Sequence, residues 1–306
     1  MTRPLRRRRS PGHASASRAG AWSVLVFVGP ATLGFVAFVL LPLVLTIWFS
    51  FTDYGLFTAP EPAGLTNYEN MASDSRLGQV YLNTVLFALL AVPGNVLLAL
   101  FLAVLVNRRM PQALRLFVRS AFFLPSLVGL IFVAVVWQFF FQTDNGIFNY
   151  YLGELGVTPV PWLSSSRLAI PSIVILDIWK NVGLAMLILL AGLQGIPPVY
   201  YEASSLDGAS PWRQFRSITF PLLSPQIFFV TTLYLIGALK VFDSIVVLTG
   251  GGPGDASRSV VMYIYERAFK SFDFGYASAI SVSLLAIISI ITFLQFRASK
   301  RWVHYE

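Results

Sequence analysis

Two couples of opposite charge lie inside otherwise apolar runs: Asp177 with Lys180, and Lys240 with Asp243. Each couple is spaced i, i+3, so on a helix its members share a face and can neutralise one another. A charge at bilayer depth costs at least ~2.5 kcal/mol on insertion scales, and such groups face a cavity or pair with each other. Two readings stand side by side: structural pairs between helices, or groups that touch a solute. At 1.5 Å per residue, Asp177 and Lys180 fall about 14 to 18 Å along their run, whereas Lys240 and Asp243 fall roughly 27 Å along theirs, near its outer end. Asn83, Asn95, Gln138 and Asn181 add hydrogen-bonding capacity, and Trp179 flanks the first couple. Amide, charge and indole together suit a polyol, whose hydroxyls need directional partners. A tryptophan near a span end is also an ordinary interface anchor.

Other chemistries are missing from the chain. It has no cysteine, which excludes disulfides, thiolate nucleophiles and Cys-based metal sites. Its only histidines, His13 and His304, lie near the ends. No Gly-x-x-x-x-Gly-Lys-[Ser/Thr] phosphate loop, His-Glu-x-x-His pair or Gly-x-Ser-x-Gly elbow occurs. The expectation is a chain that is not an enzyme, with no metal and no ATP site of its own.

The elements that would carry these residues follow from hydropathy. Of the residues 56% are hydrophobic and 12% charged, against about a quarter charged in soluble domains. Six runs reach the roughly 20 apolar residues a spanning helix needs. They cover 21–50, 80–106, 118–141, 168–193, 222–249 and 276–296, the first with Pro30 and Pro42 as expected kinks. Strand-like alternation is absent, which argues against a barrel. The expected architecture is an all-α membrane protein with six transmembrane helices. Its domains would be a disordered basic tail over 1–20, a six-span body over 21–297 and a short tail over 298–306. The run 21–50 is too long for a signal-peptide core, so it reads as an uncleaved first span. Of the 22 lysines and arginines, fifteen fall on the side of the two termini, five on the other side and two within spans. Positive charge gathers on the cytoplasmic side, so both termini are expected there. The net charge of +8 reflects that asymmetry and does not call for nucleic acid as a partner.

Between the fourth and fifth runs, residues 197–220 have an order of their own. Pro197 and Pro198 end a span and open a helix. Glu202 is expected in its first turn, where a negative charge is favoured. Asp207-Gly208 is a turn signal. Ser210-Pro211 restarts a helix with serine as N-cap, and Pro221 and Pro225 are expected to close it. The plain reading is an ordinary loop; the sharper one is a docking element for a soluble partner.

Glu202-Ala203-Ser204, Asp207-Gly208-Ala209, Phe215, Ile218, Pro221 and Pro225 resemble the "EAA" loop of permease subunits of binding-protein-dependent ABC importers. Ser204 stands where the pattern has alanine, and Phe220 replaces the leucine before Pro221. Phe51-Thr52-Asp53-Tyr54, Gly64-Leu65-Thr66-Asn67-Tyr68 and Leu248-Thr249-Gly250-Gly251-Gly252-Pro253 are similar to the sugar-transport branch, of maltose and glycerol-phosphate type. The resemblance implies the type I ABC importer permease fold, with coupling helices between spans 4 and 5 on the cytoplasmic side. It implies a second homologous permease subunit, two ABC ATPase subunits that bind ATP and Mg, an extracytoplasmic solute-binding protein and a setting in membrane lipid of a bacterial-type inner membrane. It further implies that Glu202, Ala203, Ser204, Asp207, Gly208 and Phe215 couple to an ATPase. The function implied is alternating-access import of a carbohydrate or related polar solute, with a glycerol-phosphate-type or other polar solute as the alternative. Two rivals lie further away. An ion-coupled secondary transporter would use Asp177 or Asp243, but its expected inverted repeats are not visible. A membrane scaffold would lack any solute dependence.

Overall fold

The structure is a computed structural model describing residues 26–108 and 110–303; the expected tail over 1–20 lies outside the described residues. Helix α1 covers Val26–Phe49. A two-residue hairpin pairs β1 (Thr52–Asp53) with β2 (Glu61–Pro62). Helices α2 (Thr66–Ser73), α3 (Ser75–Asn107), α4 (Gln112–Leu127), α5 (Leu130–Phe140), α6 (Ile147–Glu154) and α7 (Ala169–Gly195) follow. Helix α8 covers Pro198–Leu206 and α9 covers Pro211–Leu239. Helices α10 (Asp243–Leu248), α11 (Val260–Tyr265) and α12 (Phe274–Ser299) complete the described chain.

Five of these helices, α1, α3, α7, α9 and α12, are long and apolar enough to cross a membrane, and the bent pair α4–α5 makes six if counted as one span. The third run is therefore not the single helix expected over 118–141. Its halves meet at 105°. The bend has a local cause. Pro125 deprives the last turn of α4 of a donor, and Val128 and Gly129 are both extended, with ψ of 139° and 133°.

Pro42 and Pro221 sit inside long helices without ending them. Just before Pro42, the Leu41 N–H bonds the Val36 carbonyl five residues back; just before Pro221, the Phe220 N–H does the same to Phe215. A single wide turn shifts the hydrogen-bond register and makes room for the ring. Pro221 and Pro225 therefore do not close the docking helix. That helix runs on without interruption as the fifth span, over Pro211–Leu239.

The core forms where α3 lies along α7, with α4, α5, α9 and α10 packed around them. Close approach depends on small residues, as is usual between helices in lipid. At Gly183 of α7 a Cβ would fall 2.0 Å from the Phe122 carbonyl oxygen of α4. A second, smaller core joins Leu77 and Val80 of α3 to Tyr263 of α11 and Tyr276 and Ile280 of α12. None of the described residues of helix α1 is fully buried, although its C-terminal half packs along α12.

Candidate functional site

The fifth run, expected to be one helix over 222–249, stops at Leu239 and resumes at Asp243. Lys240 and Phe242 have φ of −108° and −143°, outside the helical region. Lys240 and Asp243 thus do not share a helix face, and no ion pair within 4.0 Å joins them among the described residues. Lys240 instead ends α9 and Asp243 opens α10. Each charge then faces the helix-dipole end that favours it.

The break opens a cavity of about 390 Å³. Non-helical backbone at membrane depth is tolerated where it is buried in protein or lines a cavity, and interrupted helices commonly build transporter binding sites. The walls come from Asn95 on α3, Asp177 and Asn181 on α7, Tyr234 on α9, and Lys240 and Asp243 at the break. Asp177 is held by amides: Asn95 Nδ2 donates to one carboxylate oxygen and Asn181 Nδ2 to the other, each at 2.9 Å. Tyr234 donates its hydroxyl to the Asn181 carbonyl at 2.7 Å.

The remaining expected pathway residues lie elsewhere. Lys180 does not pair with Asp177; it is buried toward α4, with Nζ 3.5 Å from the Ser126 carbonyl at that helix's C-terminal end. Asn83 donates to the Asp255 and Arg258 carbonyls at 2.6 and 3.1 Å, clamping the loop before α11. Trp179 packs its ring 5.3 Å from Trp137, in an aromatic cluster with Phe141, Phe148 and Trp162. Gln138 is exposed and does not line the cavity. Ser244, at the break, lines it and was not singled out from sequence. The only available signal was its place one residue after Asp243.

A second feature lies at the end of the bundle where α3 and α7 finish. Helices α8 and α9 form a hairpin joined by Asp207 to Ser210. The turn is a Schellman motif: Ala209 N–H bonds the Ser204 carbonyl at 2.9 Å, and Gly208 N–H bonds Ser205 at 3.1 Å. Gly208 takes φ of +73°, as its glycine foretold. Ser210 caps α9 through the Arg213 N–H. Glu202, expected in the first turn of α8, is its fifth residue and is exposed. Ser204, the departure from the alanine of the motif, has a role: its hydroxyl accepts from Gln214 Nε2 at 3.0 Å, and Ser205 accepts from the same nitrogen at 2.9 Å. Gln214 thus ties the two helices together and was not singled out from sequence. Ala203, Asp207, Leu206 and Trp212 are exposed on the hairpin. Phe215 is half-buried, stacked on Trp212 with ring centres 5.7 Å apart.

Residues 95–304 match the family described as "Binding-protein-dependent transport system inner membrane component". The chain belongs to this family. The hairpin of this permease and the polar walls of its cavity fall within the matched region. It is 36% identical over 285 residues to the "Probable ABC transporter permease protein YesP" of Bacillus subtilis, covering 92% of this chain and 91% of the relative. It is 36% identical over 264 residues to the "Trehalose/maltose transport system permease protein MalF" of Thermococcus litoralis, covering 86% and 88%. Its fold matches a chain of a bacterial alginate ABC transporter, solved in complex with an alginate pentasaccharide-bound periplasmic protein. That match has a TM-score of 0.82 at 21% identity and covers 95% of this chain and 98% of the other. The permease therefore has the type I ABC importer fold and is a multi-pass membrane protein.

Proposed function

We propose that the chain is one permease subunit of an ABC importer that moves a carbohydrate into the cytoplasm by alternating access. The observation that carries this reading is the polar cavity at the break of α9, built on a fold whose relatives include a trehalose/maltose permease. A cavity of about 390 Å³ lies within the range of small-molecule sites. Its amide, carboxylate and phenol groups suit a hydroxylated solute.

The partners belong to the same proposal: a second homologous permease, two ATPases that hold ATP and Mg, and an extracytoplasmic binding protein that delivers the solute. The exposed face of the hairpin, with Glu202, Ala203, Leu206 and Trp212, is the surface for an ATPase. Glu202 would meet a basic or amide group there. Ala203 and Gly208 leave room for close backbone approach. Both termini would lie with the hairpin in the cytoplasm. ATP binding would close the ATPases, push the hairpins together and turn the cavity outward.

The test is co-purification of the native chain from solubilised membranes, with mass identification of what accompanies it. An ATPase, a second permease and a binding protein are expected. Recovery of the intact chain alone, under conditions that preserve known complexes, would reject the assembly.

A further inference from the structure

The polar groups of the cavity are unequal in what they offer a solute. Asn95 is fully buried, and both protons of its amide nitrogen are committed, to the Ala91 carbonyl at 3.0 Å and to Asp177 at 2.9 Å. Both partners are acceptors, which fixes which end of the amide is nitrogen. Asn95 Oδ1 has no hydrogen-bond partner, and neither does the Oγ of Ser244, also buried. A buried polar atom without a partner is costly, and a solute that supplies one gains by it. Tyr234 has given its proton to Asn181, so toward the cavity its oxygen can only accept. Asp177 offers its remaining lone pairs. On the donor side stand the second amide proton of Asn181, the Ser244 hydroxyl and Lys240.

Charge points the same way. The lining carries two carboxylates, Asp177 and Asp243, against the one ammonium of Lys240. Lys180, the nearest cation to Asp177 in sequence, attracts it through the protein but reaches toward Ser126 and does not line the cavity, so it presents no donor to a solute. Lys240 and Asp243 are both exposed at the break. The inner end, around Asn95 and Asp177, is an acceptor surface with a negative charge behind it. A hydroxyl or an ammonium satisfies such a surface. An acidic group there would meet like charge in a medium that screens poorly, and would leave Asn95 Oδ1 without its donor.

We propose that this chain's wall of the cavity admits neutral and amine-bearing sugars and discriminates against acidic ones, with Asn95 and Ser244, closed off from solvent in this conformation, meeting solute hydroxyls when the break opens. This rests on the reading of the cavity as the solute path. It sets the chain apart from its structural relative, whose solute is the acidic polysaccharide alginate.

The experiment uses the assembled complex in lipid nanodiscs without its binding protein, so that the permease alone selects. Saturation-transfer NMR, which reads millimolar binding, would be run with a panel of neutral disaccharides (maltose, trehalose, xylobiose), a glucosamine disaccharide, and the acidic maltobionate and digalacturonate. The expected result is binding of neutral or amino sugars about ten-fold or more tighter than of acidic ones, with Asp177→Asn narrowing that gap. Ser244→Ala removes a hydroxyl with no partner in the protein, and is expected to weaken the neutral sugar several-fold. Acidic sugars binding as well as neutral ones would overturn the selectivity and leave the carbohydrate reading standing. That comparison within the native chain decides even if Asp177→Asn fails to assemble. If no sugar of any class binds, the carbohydrate reading itself falls.

Discussion

Asp74 gathers three elements at the end of the bundle opposite the hairpin. It caps α3 through the Arg76 N–H and accepts hydroxyl hydrogen bonds from Tyr263 and Tyr276 at 2.6 and 2.8 Å. The Arg267 guanidinium lies over both tyrosine rings, 5.1 and 5.0 Å from their centres. Burial raises the pKa of the Asp74 carboxyl, but the hydrogen bonds of the two tyrosines, with those of the Arg76 and Leu77 backbone, together outweigh it and hold the group below its ordinary value. The folded value is depressed, so the stabilisation is complete above the unfolded value of about 3.9 and is lost as pH falls through the lower folded value. Asp74→Asn is therefore expected to cost about 1–3 kcal/mol at pH 7, a gap that begins to narrow below about pH 3.9 and closes only once pH has fallen through the lower folded value. Thermal midpoints of both chains at pH 7 and pH 3, at one scan rate, check this; parallel curves would show that Asp74 is not the acid-sensitive group. At the hairpin, Gln214→Ala removes the tie between α8 and α9, with net hydrogen bonds of about 0.5–1.5 kcal/mol each. The expected outcome in the assembled importer is uptake per ATP reduced several-fold while hydrolysis continues. An unchanged ratio would mean that hairpin rigidity plays no part in coupling.

At the scale of elements, the α4–α7 crossing is set by Gly183. Any side chain there meets the backbone of Phe122 and Phe123, which cannot step aside as a flexible side chain would. Gly183→Leu is expected to drive α4 outward, lower the thermal midpoint and disturb the bend into α5, whose Leu130 borders the cavity. Cross-linking between paired cysteines introduced on α4 and α7 would report the separation, and native-like yield would reject the close packing. How far these elements could be read beforehand depends on what hydropathy measures. It located α3, α7 and α12 to within about five residues because lipid demands apolar length, but set the fifth run at 222–249 where the helix covers Pro211–Leu239. It missed the bend at Val128 and the break at Lys240 because both sides of each are apolar, and hydropathy carries no information on backbone direction. The start, turn and restart of the hairpin were legible, since Pro198, Gly208, Ser210 and Pro211 act through local backbone rules, whereas its end at Pro221 and the place of Glu202 were not. The cavity was only half legible. Asp177 invited pairing with Lys180 one turn away, yet its actual partners include Asn95, 82 positions back on another helix. Periodicity within one helix cannot show that neighbour.

For the whole molecule the deciding question is which way the bundle faces, because the proposed mechanism needs the hairpin where ATP is. The proposed orientation puts it with the termini, on the side that holds most of the lysines and arginines. The chain offers a clean assay, since it has no cysteine of its own. Leu206 at the hairpin tip is 90% exposed, and Phe57 in the turn between β1 and β2 is 95% exposed, so a thiol at either position meets solvent. The β1–β2 turn lies with Asp273 and α12's N-terminus, through backbone contacts of Gly55 and Tyr54, at the end away from the hairpin. In spheroplasts, Phe57→Cys is expected to react with a membrane-impermeant maleimide at once, and Leu206→Cys only after permeabilisation. Binding of the ATPase partners should then shield Leu206→Cys and leave Phe57→Cys unchanged, which ties orientation to docking in one measurement. Labelling of Leu206→Cys from outside intact spheroplasts would invert the bundle. The hairpin could then not serve an ATPase, and the ion-coupled alternative, with Asp177 or Asp243 as the ion-coupling carboxylate, would become the reading to test.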